Sequence, residues 1–386
     1  MKILIISIAS LIPFISIAQE GFAVRETKDN VQAKLDVGLS TTFYFDDSAT
    51  TSTSGKKEGS AVSNIVPEIK ISIGEKDQST FYGNLKYNPH FNTVYKLGQS
   101  NLFHALSVEA GYSGAKLNIG ASVRYDSTSY ANVSENSDEE ITTTTNVSPY
   151  IFFSISPKTS VGLTASYTQT AVDQTINPNN AGADRQEFTV TPTIRYQISP
   201  KTNLTGSIGF GTTTYDNAAL GEQTFQQYSL GLGWTPSPKL SLNARAGFEM
   251  RQYTVNTGSD EISPILSLGA TWNPDPLLSY NASLDVSNRN SNNNAGENYV
   301  RTSLRAGVTK KFMTNMYASL NGDVENRSYN SRPSTVEYGF RPSVGYKFDG
   351  KLFDIFENAS IELYYRFRKT DTDERNQVGI TSSFNF

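Results

Sequence analysis

The stretch that decides the fold is the C-terminal one, QVGITSSFNF, which occupies residues 377–386. Successive side chains of a β-strand point to opposite faces, so alternate residues share a face. One face carries Val378, Ile380, Ser382, Phe384 and Phe386, and the other carries Gln377, Gly379, Thr381, Ser383 and Asn385. The sequence therefore predicts a final strand that is apolar on one side, polar on the other, and ends on an aromatic ring.

The same two-residue period runs through the rest of the chain. Residues 117–126 place Leu117, Ile119, Ala121, Val123 and Tyr125 on one face and Asn118, Gly120, Ser122, Arg124 and Asp126 on the other. Residues 240–251 and 301–309 divide in the same way. A helix with these sequences would distribute its charges around every side, whereas a strand separates them.

These alternating runs are long for a globular protein. They extend over about 10 to 14 residues, whereas globular strands average about 5 to 6 and a tilted strand needs about 9 to 11 to cross a bilayer. Runs such as 159–172, 202–215, 298–311 and 335–348 give about eighteen strands in all, with sixteen as the alternative count. The predicted fold is an all-β, antiparallel, up-and-down transmembrane barrel with short periplasmic turns and longer extracellular loops.

The predicted connections alternate between tight and loose. Tight turns carry Pro, Gly or charge, as at 156–159, 199–202 and 236–239, and longer polar loops are expected at 46–61, 127–141, 174–184 and 290–297. A hairpin repeat supports the count, because the sequence WTPSP at 234–238 aligns with WNPDP at 272–276. Pro cannot donate to a ladder, and five prolines fall inside descending strands, so we expect bulges or near-rim positions on the outer face there. These are Pro67, Pro149, Pro192, Pro264 and Pro342.

The N-terminus and the composition fit secretion to a membrane. Residues 1–19 have a positive Lys2, a mostly apolar run over 3–17 and small residues at 16–18, which is typical of a signal peptide. We therefore predict a signal peptide at 1–19 and a single barrel domain at 20–386. Only 37% of residues are hydrophobic, as suits a wall that needs apolar side chains at alternate positions. The chain has no Cys, which excludes a disulfide framework.

Stretches such as TPTIRYQISPK at 191–201, followed by alternating Thr, Gly and apolar residues, carry a family resemblance. With the signal peptide, the β meander and the terminal Phe, the chain resembles the putative β-barrel porin type 2 family, which includes outer-membrane proteins found with exopolysaccharide synthesis systems. The resemblance implies a channel or export barrel in the bacterial outer membrane and no catalytic residue. The last strand also resembles the signal that the barrel-assembly machinery reads, which gives Phe384 and Phe386 that role.

The polar face of the strands should line the lumen, with charges that brace the wall or select solutes. The lumen-lining residues predicted in this way are Arg124, Arg195, Arg245, Arg251, Arg301, Arg305, Arg327, Arg341, Arg366, Glu68, Glu109, Glu249, Asp323 and Glu325. Aromatic residues near the turns should form an interfacial belt on the outside. These are Trp234, Trp272, Tyr280, Tyr317 and Phe348.

Little in the sequence indicates catalysis or a cofactor. The two histidines, His90 and His104, fall on opposite faces and are poorly placed to act together. The first functional hypothesis is therefore a channel. The second is a non-conducting adhesin whose loops bind a partner, and the third is a barrel hydrolase that uses His90. The acidic run at 371–374 lacks the Gly and spacing of a calcium loop, so we expect no metal site. The expected partners are outer-membrane lipid, lipopolysaccharide and the assembly machinery, with polysaccharide as a further candidate. The net charge of −4 gives no nucleic-acid signature, and the oligomeric state stays open.

Overall fold

We describe a computed structural model of the chain. It describes residues 33–51, 57–74, 79–96, 98–131, 139–172, 184–217, 221–254, 260–291, 297–329, 332–348, 358–371 and 373–385. The predicted signal peptide at 1–19 and the predicted assembly residue Phe386 lie outside these ranges. Among the described residues, no helix has the length and apolarity to cross a membrane.

The chain forms eighteen antiparallel strands joined in sequence order. Their bounds are β1 Ala33–Thr51, β2 Lys57–Ile73, β3 Phe81–Val94, β4 Gln99–Ser113, β5 Leu117–Ala131, β6 Glu139–Ser156, β7 Thr159–Val172, β8 Arg185–Ser199, β9 Thr202–Tyr215, β10 Glu222–Ser237, β11 Leu240–Tyr253, β12 Glu261–Asp275, β13 Leu278–Asn290, β14 Asn298–Lys311, β15 Met316–Tyr329, β16 Thr335–Phe348, β17 Asn358–Thr370 and β18 Glu374–Asn385. This confirms the predicted count of eighteen rather than sixteen.

The sheet closes on itself because β1 pairs with both β2 and β18. The seam with β18 runs from the pair Gly38–Asn385 to the pair Asp46–Gln377. Apart from this seam, every neighbouring pair of strands is consecutive in the chain, and all pairs are antiparallel, so the architecture is the predicted up-and-down barrel. Closure leaves no sheet edge with unpaired backbone groups facing lipid.

Alternation sorts the side chains between two solvents. The outer face exposes large apolar residues along every part of the circumference, for example Leu230 at 65%, Ile262 at 72% and Leu363 at 58%. An apolar surface that surrounds the molecule is unfavourable in water and is stable only where lipid covers it. The polar residues of the same strands therefore face the lumen. Phe384 of the predicted assembly signal lies on the outer face, opposite Leu39 and Ala359.

The two ends of the barrel differ. We call the end with connections such as β6–β7, β8–β9 and β10–β11 the turn rim, because only two residues separate each of these pairs of strands. The opposite end is the loop rim. Each of two turns is tied to the next hairpin at the turn rim: the Lys201 ammonium donates to the Pro236 carbonyl near the end of β10, and the Lys239 ammonium to the Pro274 carbonyl near the end of β12, both at 2.6 Å.

Two predicted loops are mostly strand. The 46–61 segment continues β1 to Thr51 and begins β2 at Lys57, and the 127–141 segment continues β5 to Ala131 and begins β6 at Glu139. Both segments are rich in Ser and Thr, which can pair their backbones in a ladder without an apolar face. Because apolar residues do not alternate along these segments, the sequence pattern does not mark them as strand.

The prolines of the descending strands lie on the outer face, but the expected bulges are absent at the positions described. Beside Pro67, Pro149, Pro192 and Pro342, the pairing with the following strand skips a short interval and resumes in the same register. The preceding strand still pairs with each proline, as in Leu39–Pro67 and Ala121–Pro149. Proline therefore removes one donor toward the next strand without inserting a residue.

Candidate functional site in the lumen

The lumen is the candidate site. Strand alternation and register place the predicted lining residues on its wall: Arg124, Arg195, Arg245, Arg251, Arg301, Arg305, Arg327, Arg341, Arg366, Glu68, Glu109, Glu249, Asp323 and Glu325. They do not form one cluster. Some form buried ion pairs near the loop rim, whereas Arg195 and Arg245, nearer the turn rim, have no ion pair among the described residues. The charge of the wall therefore varies along the barrel.

Side chains crowd the loop-rim half of the lumen. Most of the buried polar and charged residues lie there, including Asp46, Ser60, Thr170, Thr213, Gln223, Glu249, Arg251, Ser263, Asn298, Arg327, Glu337 and Thr370. In a barrel with an open aqueous lumen, inward side chains would stay wet along the whole wall. Burial concentrated at one end shows that the lumen narrows toward the loop rim.

The narrowing has a structural cause at the hairpin of β13 and β14. The ladder between β12 and β13 ends at the pair Leu266–Val286, although both strands continue beyond it toward the loop rim. The ladder between β13 and β14 continues to the pair Asn290–Asn298. The end of this hairpin, residues 287–291 and 297–299, has therefore parted from β12. We call it the hairpin tip.

The hairpin tip leans into the lumen. Asn288, Asn290 and Asn298 belong by alternation to the outer face, yet they contact inner-face residues of β10 to β12. The amide of Asn288 donates to Ser263 Oγ at 3.2 Å, and the amide of Asn298 donates to the Tyr253 hydroxyl at 2.5 Å and to Gln223 Oε1 at 3.4 Å. Only a tip that passes behind β12, on the lumen side, can make these contacts.

A buried ion pair anchors the tip to the wall. Arg251 Nε donates to Glu249 Oε1 at 2.9 Å, and the side chains of the two residues are 4% and 3% exposed. Arg251 Nη1 also donates to Gln223 Oε1 at 2.8 Å and to Asn290 Oδ1 on the tip at 2.7 Å. The carboxylate compensates the arginine, and the arginine holds both the wall and the tip. This Arg251 cluster fixes one side of the constriction.

Further ion pairs stiffen the rest of the loop-rim half. Glu325 accepts from Arg301 at 2.8 Å and from Arg327 at 2.9 Å. At the seam, Asp46 is fully buried and accepts from the Arg375 guanidinium, and Gln377 Nε2 donates to it at 2.8 Å. Charges on neighbouring strands therefore brace the wall, as the predicted structural role requires.

One wall of the turn-rim half has a different character. Arg195 and Arg245 are exposed on β8 and β11, and no described carboxylate lies within ion-pair distance of either one. The Arg245 Nε donates to the Ser229 hydroxyl at 2.9 Å. From β6 to β11, the described inner face below Glu187 and Glu249 carries no acidic side chain. The positive charge on this wall is uncompensated.

The aromatic residues divide between the two faces. Trp234 and Trp272 are about half exposed on the outer face near the turn rim, and Trp272 stacks on Tyr280 with ring centroids 5.2 Å apart. Tyr317 was expected in this outer belt, and that expectation is wrong. Its hydroxyl donates to Glu362 Oε2 at 2.9 Å on the inner face, because it shares the alternation of Ser319 rather than that of Leu320.

The histidines do not build a catalytic group in the described chain. His104 lies on the outer face, with Nδ1 2.8 Å from the Tyr87 hydroxyl. His90 lies on the inner face opposite Phe103, and within the described ranges it has no hydrogen bond to a hydroxyl or carboxylate. The same ranges contain no group of three or more His, Cys, Asp or Glu placed to hold a metal ion.

Several lumen residues escaped the sequence reasoning. Asp46 and Arg375 were not singled out because they sit in segments that read as loop or strand end. Asn288, Asn290 and Asn298 were missed although they carry a signal, since amides occupy positions where the outer-face pattern calls for apolar side chains.

The closed barrel, its lipid-facing exterior and its charged lumen define an outer-membrane channel protein of the porin type. A family model described as "Putative beta-barrel porin 2" matches residues 158–377, and the chain belongs to that family. Its location is the bacterial outer membrane, so the turn rim is periplasmic and the loop rim extracellular.

Solved porins share the fold at low sequence identity. OpdK of Pseudomonas aeruginosa, crystallised with vanillate, is 10% identical with a TM-score of 0.52 over 92% of this chain and 98% of that one. A BenF-like porin of Pseudomonas fluorescens Pf-5 is 10% identical with a TM-score of 0.53 over 92% and 98%. OpdQ of Pseudomonas aeruginosa is 10% identical with a TM-score of 0.51 over 92% and 97%. No curated protein matches the chain.

Proposed function

We propose that the barrel is a passive diffusion channel for small polar solutes, that it prefers anions, and that the hairpin tip forms its extracellular constriction. The observation that carries the proposal is the end of the β12–β13 ladder at Leu266–Val286 and the inward contacts of the tip beyond it. Barrels of about 16 to 18 strands enclose an aqueous channel unless something fills it. Here the tip narrows one end and leaves the other end wide.

Anion preference follows from the uneven wall. Near the loop rim most cations are paired, as in Arg251–Glu249 and Arg301–Glu325, and contribute little net field. Arg195 and Arg245 remain uncompensated on one side of the wider half. A cation without a counter-charge raises the local concentration of anions in a confined aqueous path.

The same geometry bears on the alternative functions. A polysaccharide chain would need the hairpin tip to move aside, so the arrangement favours small solutes over a polymer. An adhesin would need large loops, and 46–61, the longest predicted one, is largely paired in β1 and β2. His90 makes no hydrogen bond to a hydroxyl or carboxylate of the described residues, so its replacement by Ala should leave the barrel's activity unchanged.

Reconstitution in planar bilayers tests the proposal. The purified barrel should form ion-conducting channels, and a KCl gradient should give a reversal potential of the sign that marks chloride as the preferred ion. Replacing Arg195 and Arg245 together by Gln should move that potential toward zero, whereas replacing both by Lys should preserve it, since Lys keeps the charge. Folded barrels that never conduct, or that prefer potassium, would overturn the proposal.

A further inference from the structure

A three-layer stack stands on the inner wall near the turn rim. Its base is Gly162 of β7, which lies directly opposite Phe152 of β6. A Cβ atom on Gly162 would fall 2.1 Å from Phe152 Cδ1, far inside contact distance. The ring of Phe152 therefore lies flat against the backbone of β7, in the space that any other residue would fill with its own side chain.

Arg195 of β8 forms the top layer. Its Cζ lies 4.2 Å from the centroid of the Phe152 ring. A guanidinium over an aromatic face is attracted by the ring quadrupole, and its N–H donors point outward in the guanidinium plane. Because no described carboxylate pairs with Arg195, the stack holds this cation in position while its donors stay available to a ligand.

The pocket lined by Arg195 is polar and lacks acidic side chains. It has a volume of about 600 Å³ and lies between the turns of β6–β7 and β8–β9. Besides Arg195, its polar lining includes Lys158, Ser154, Ser160, Gln197, Asn203 and Thr205. They supply a second cation, three hydroxyls and two amides. No carboxylate lines the pocket, so nothing in it competes with an anion for Arg195.

We infer that this pocket binds a small hydroxylated carboxylate, such as a sugar acid, at the periplasmic mouth of the lumen. The planar fork of Arg195 matches a carboxylate with two parallel hydrogen bonds, which an ammonium cannot do. The hydroxyls and amides match the hydroxyl groups of the ligand, and Lys158 adds attraction. The inference rests on the proposed channel function, because the ligand reaches the pocket through the lumen.

Gluconate is the probe for the pocket. Acetate is the control that has a carboxylate but no hydroxyl groups, and sorbitol is the control that has hydroxyl groups but no charge. Single-channel currents are recorded with each probe on the periplasmic side. Gluconate should block the wild-type current in a concentration-dependent way, acetate should block more weakly, and sorbitol should not block. Arg195→Gln should weaken gluconate block by about tenfold to a hundredfold, since it removes a charged hydrogen-bond pair. Arg195→Lys should recover part of the loss, and Gly162→Ala should weaken block by displacing Phe152.

The opposite wall offers a matched control. Lys347 lies 5.9 Å from the centroid of Tyr317, whose ring also rests on a glycine, Gly345. Lys347→Gln should leave gluconate block unchanged. Block by gluconate that is the same in Arg195→Gln as in the wild type, or equal block by sorbitol, would overturn the inference while leaving the channel function intact. If the barrel does not conduct, titration calorimetry with gluconate on the purified wild type and Arg195→Gln decides the binding site separately.

Discussion

Replacing Asn290 by Ala should release the hairpin tip from the barrel wall. Asn290 Oδ1 accepts a hydrogen bond from Arg251 Nη1 at 2.7 Å, which is a charged bond between the tip and the wall of β10 to β12. The substitution leaves the Arg251–Glu249 ion pair and the bond from Arg251 to Gln223 in place. It therefore weakens the attachment of the tip without leaving a buried charge unpaired.

The size of the effect follows from the contacts. A hydrogen bond to a charged group contributes about 1.5–3 kcal/mol, and a neutral one about 0.5–1.5 kcal/mol. The tip keeps the neutral bonds of Asn288 and Asn298. Since about 1.4 kcal/mol changes an equilibrium tenfold, loss of the charged bond should make the released state about 10 to 100 times more frequent. Asn288→Ala, which removes a neutral bond of 3.2 Å, should have a smaller effect.

Single-channel recording measures the release directly. Openings to a higher conductance should become more frequent in Asn290→Ala, with an intermediate frequency in Asn288→Ala. Asn281→Ala is the matched control, because Asn281 lies on the same strand, faces the lumen and is far from the tip. Equal gating in Asn290→Ala and Asn281→Ala would show that the tip does not narrow the channel, and the reasoning about the constriction would then be wrong.

Two further substitutions test the wall itself. Asp46→Asn should leave Arg375 without its counter-charge at the β1–β18 seam and lower the free energy of unfolding by about 3 kcal/mol. Thermal unfolding followed by gel mobility measures this loss of stability. An unchanged unfolding transition would contradict the role of the ion pair. Gly211→Ala should cost about 1–3 kcal/mol by the same assay, because its Cβ would meet Phe225 Cζ at 2.2 Å. Gly231→Ala is its control, since the nearest atom is 3.6 Å away, and equal losses in the two variants would refute the packing argument.

The strands could be predicted because lipid imposes a strict pattern on them. The runs predicted at 159–172, 202–215, 298–311 and 335–348 coincide with β7, β9, β14 and β16. Each of these strands has lipid on one side and water on the other for most of its length, so polarity reports the face of every residue. The ends of β1, β2, β5 and β6 near the loop rim are rich in Ser and Thr and lack that alternation, so the sequence predicts loop where the chain forms strand.

The constriction could not be predicted in the same way. Alternation tells which face a residue occupies but not whether a strand keeps its neighbour, and the parting of β13 from β12 is a question of pairing. Nor does a sequence show which inward cations find a partner. Arg251 and Arg195 look alike as inner-face arginines, yet the first is buried against Glu249 and the second lies open over Phe152.

Proline chemistry explains why the wall parts at β12. Pro264 lies on the outer face of β12 near the end of its ladder with β13, and like Pro192 it offers no donor to the following strand. Backbone groups left unpaired in hydrocarbon cost several kcal/mol each, so a wall can part only at the rim, where water reaches them.

Pro264→Ala supplies one donor and should favour return of the tip to the wall by about 1 kcal/mol, which makes the wider state about fivefold more frequent. Pro192→Ala adds the same donor where β8 and β9 already rejoin in register, and it should leave the conductance unchanged. Single-channel recording of the two variants side by side separates the effect of strand pairing at the constriction from a general effect of removing a proline. Equal changes of conductance in both variants would refute the role of Pro264 in parting β13 from β12.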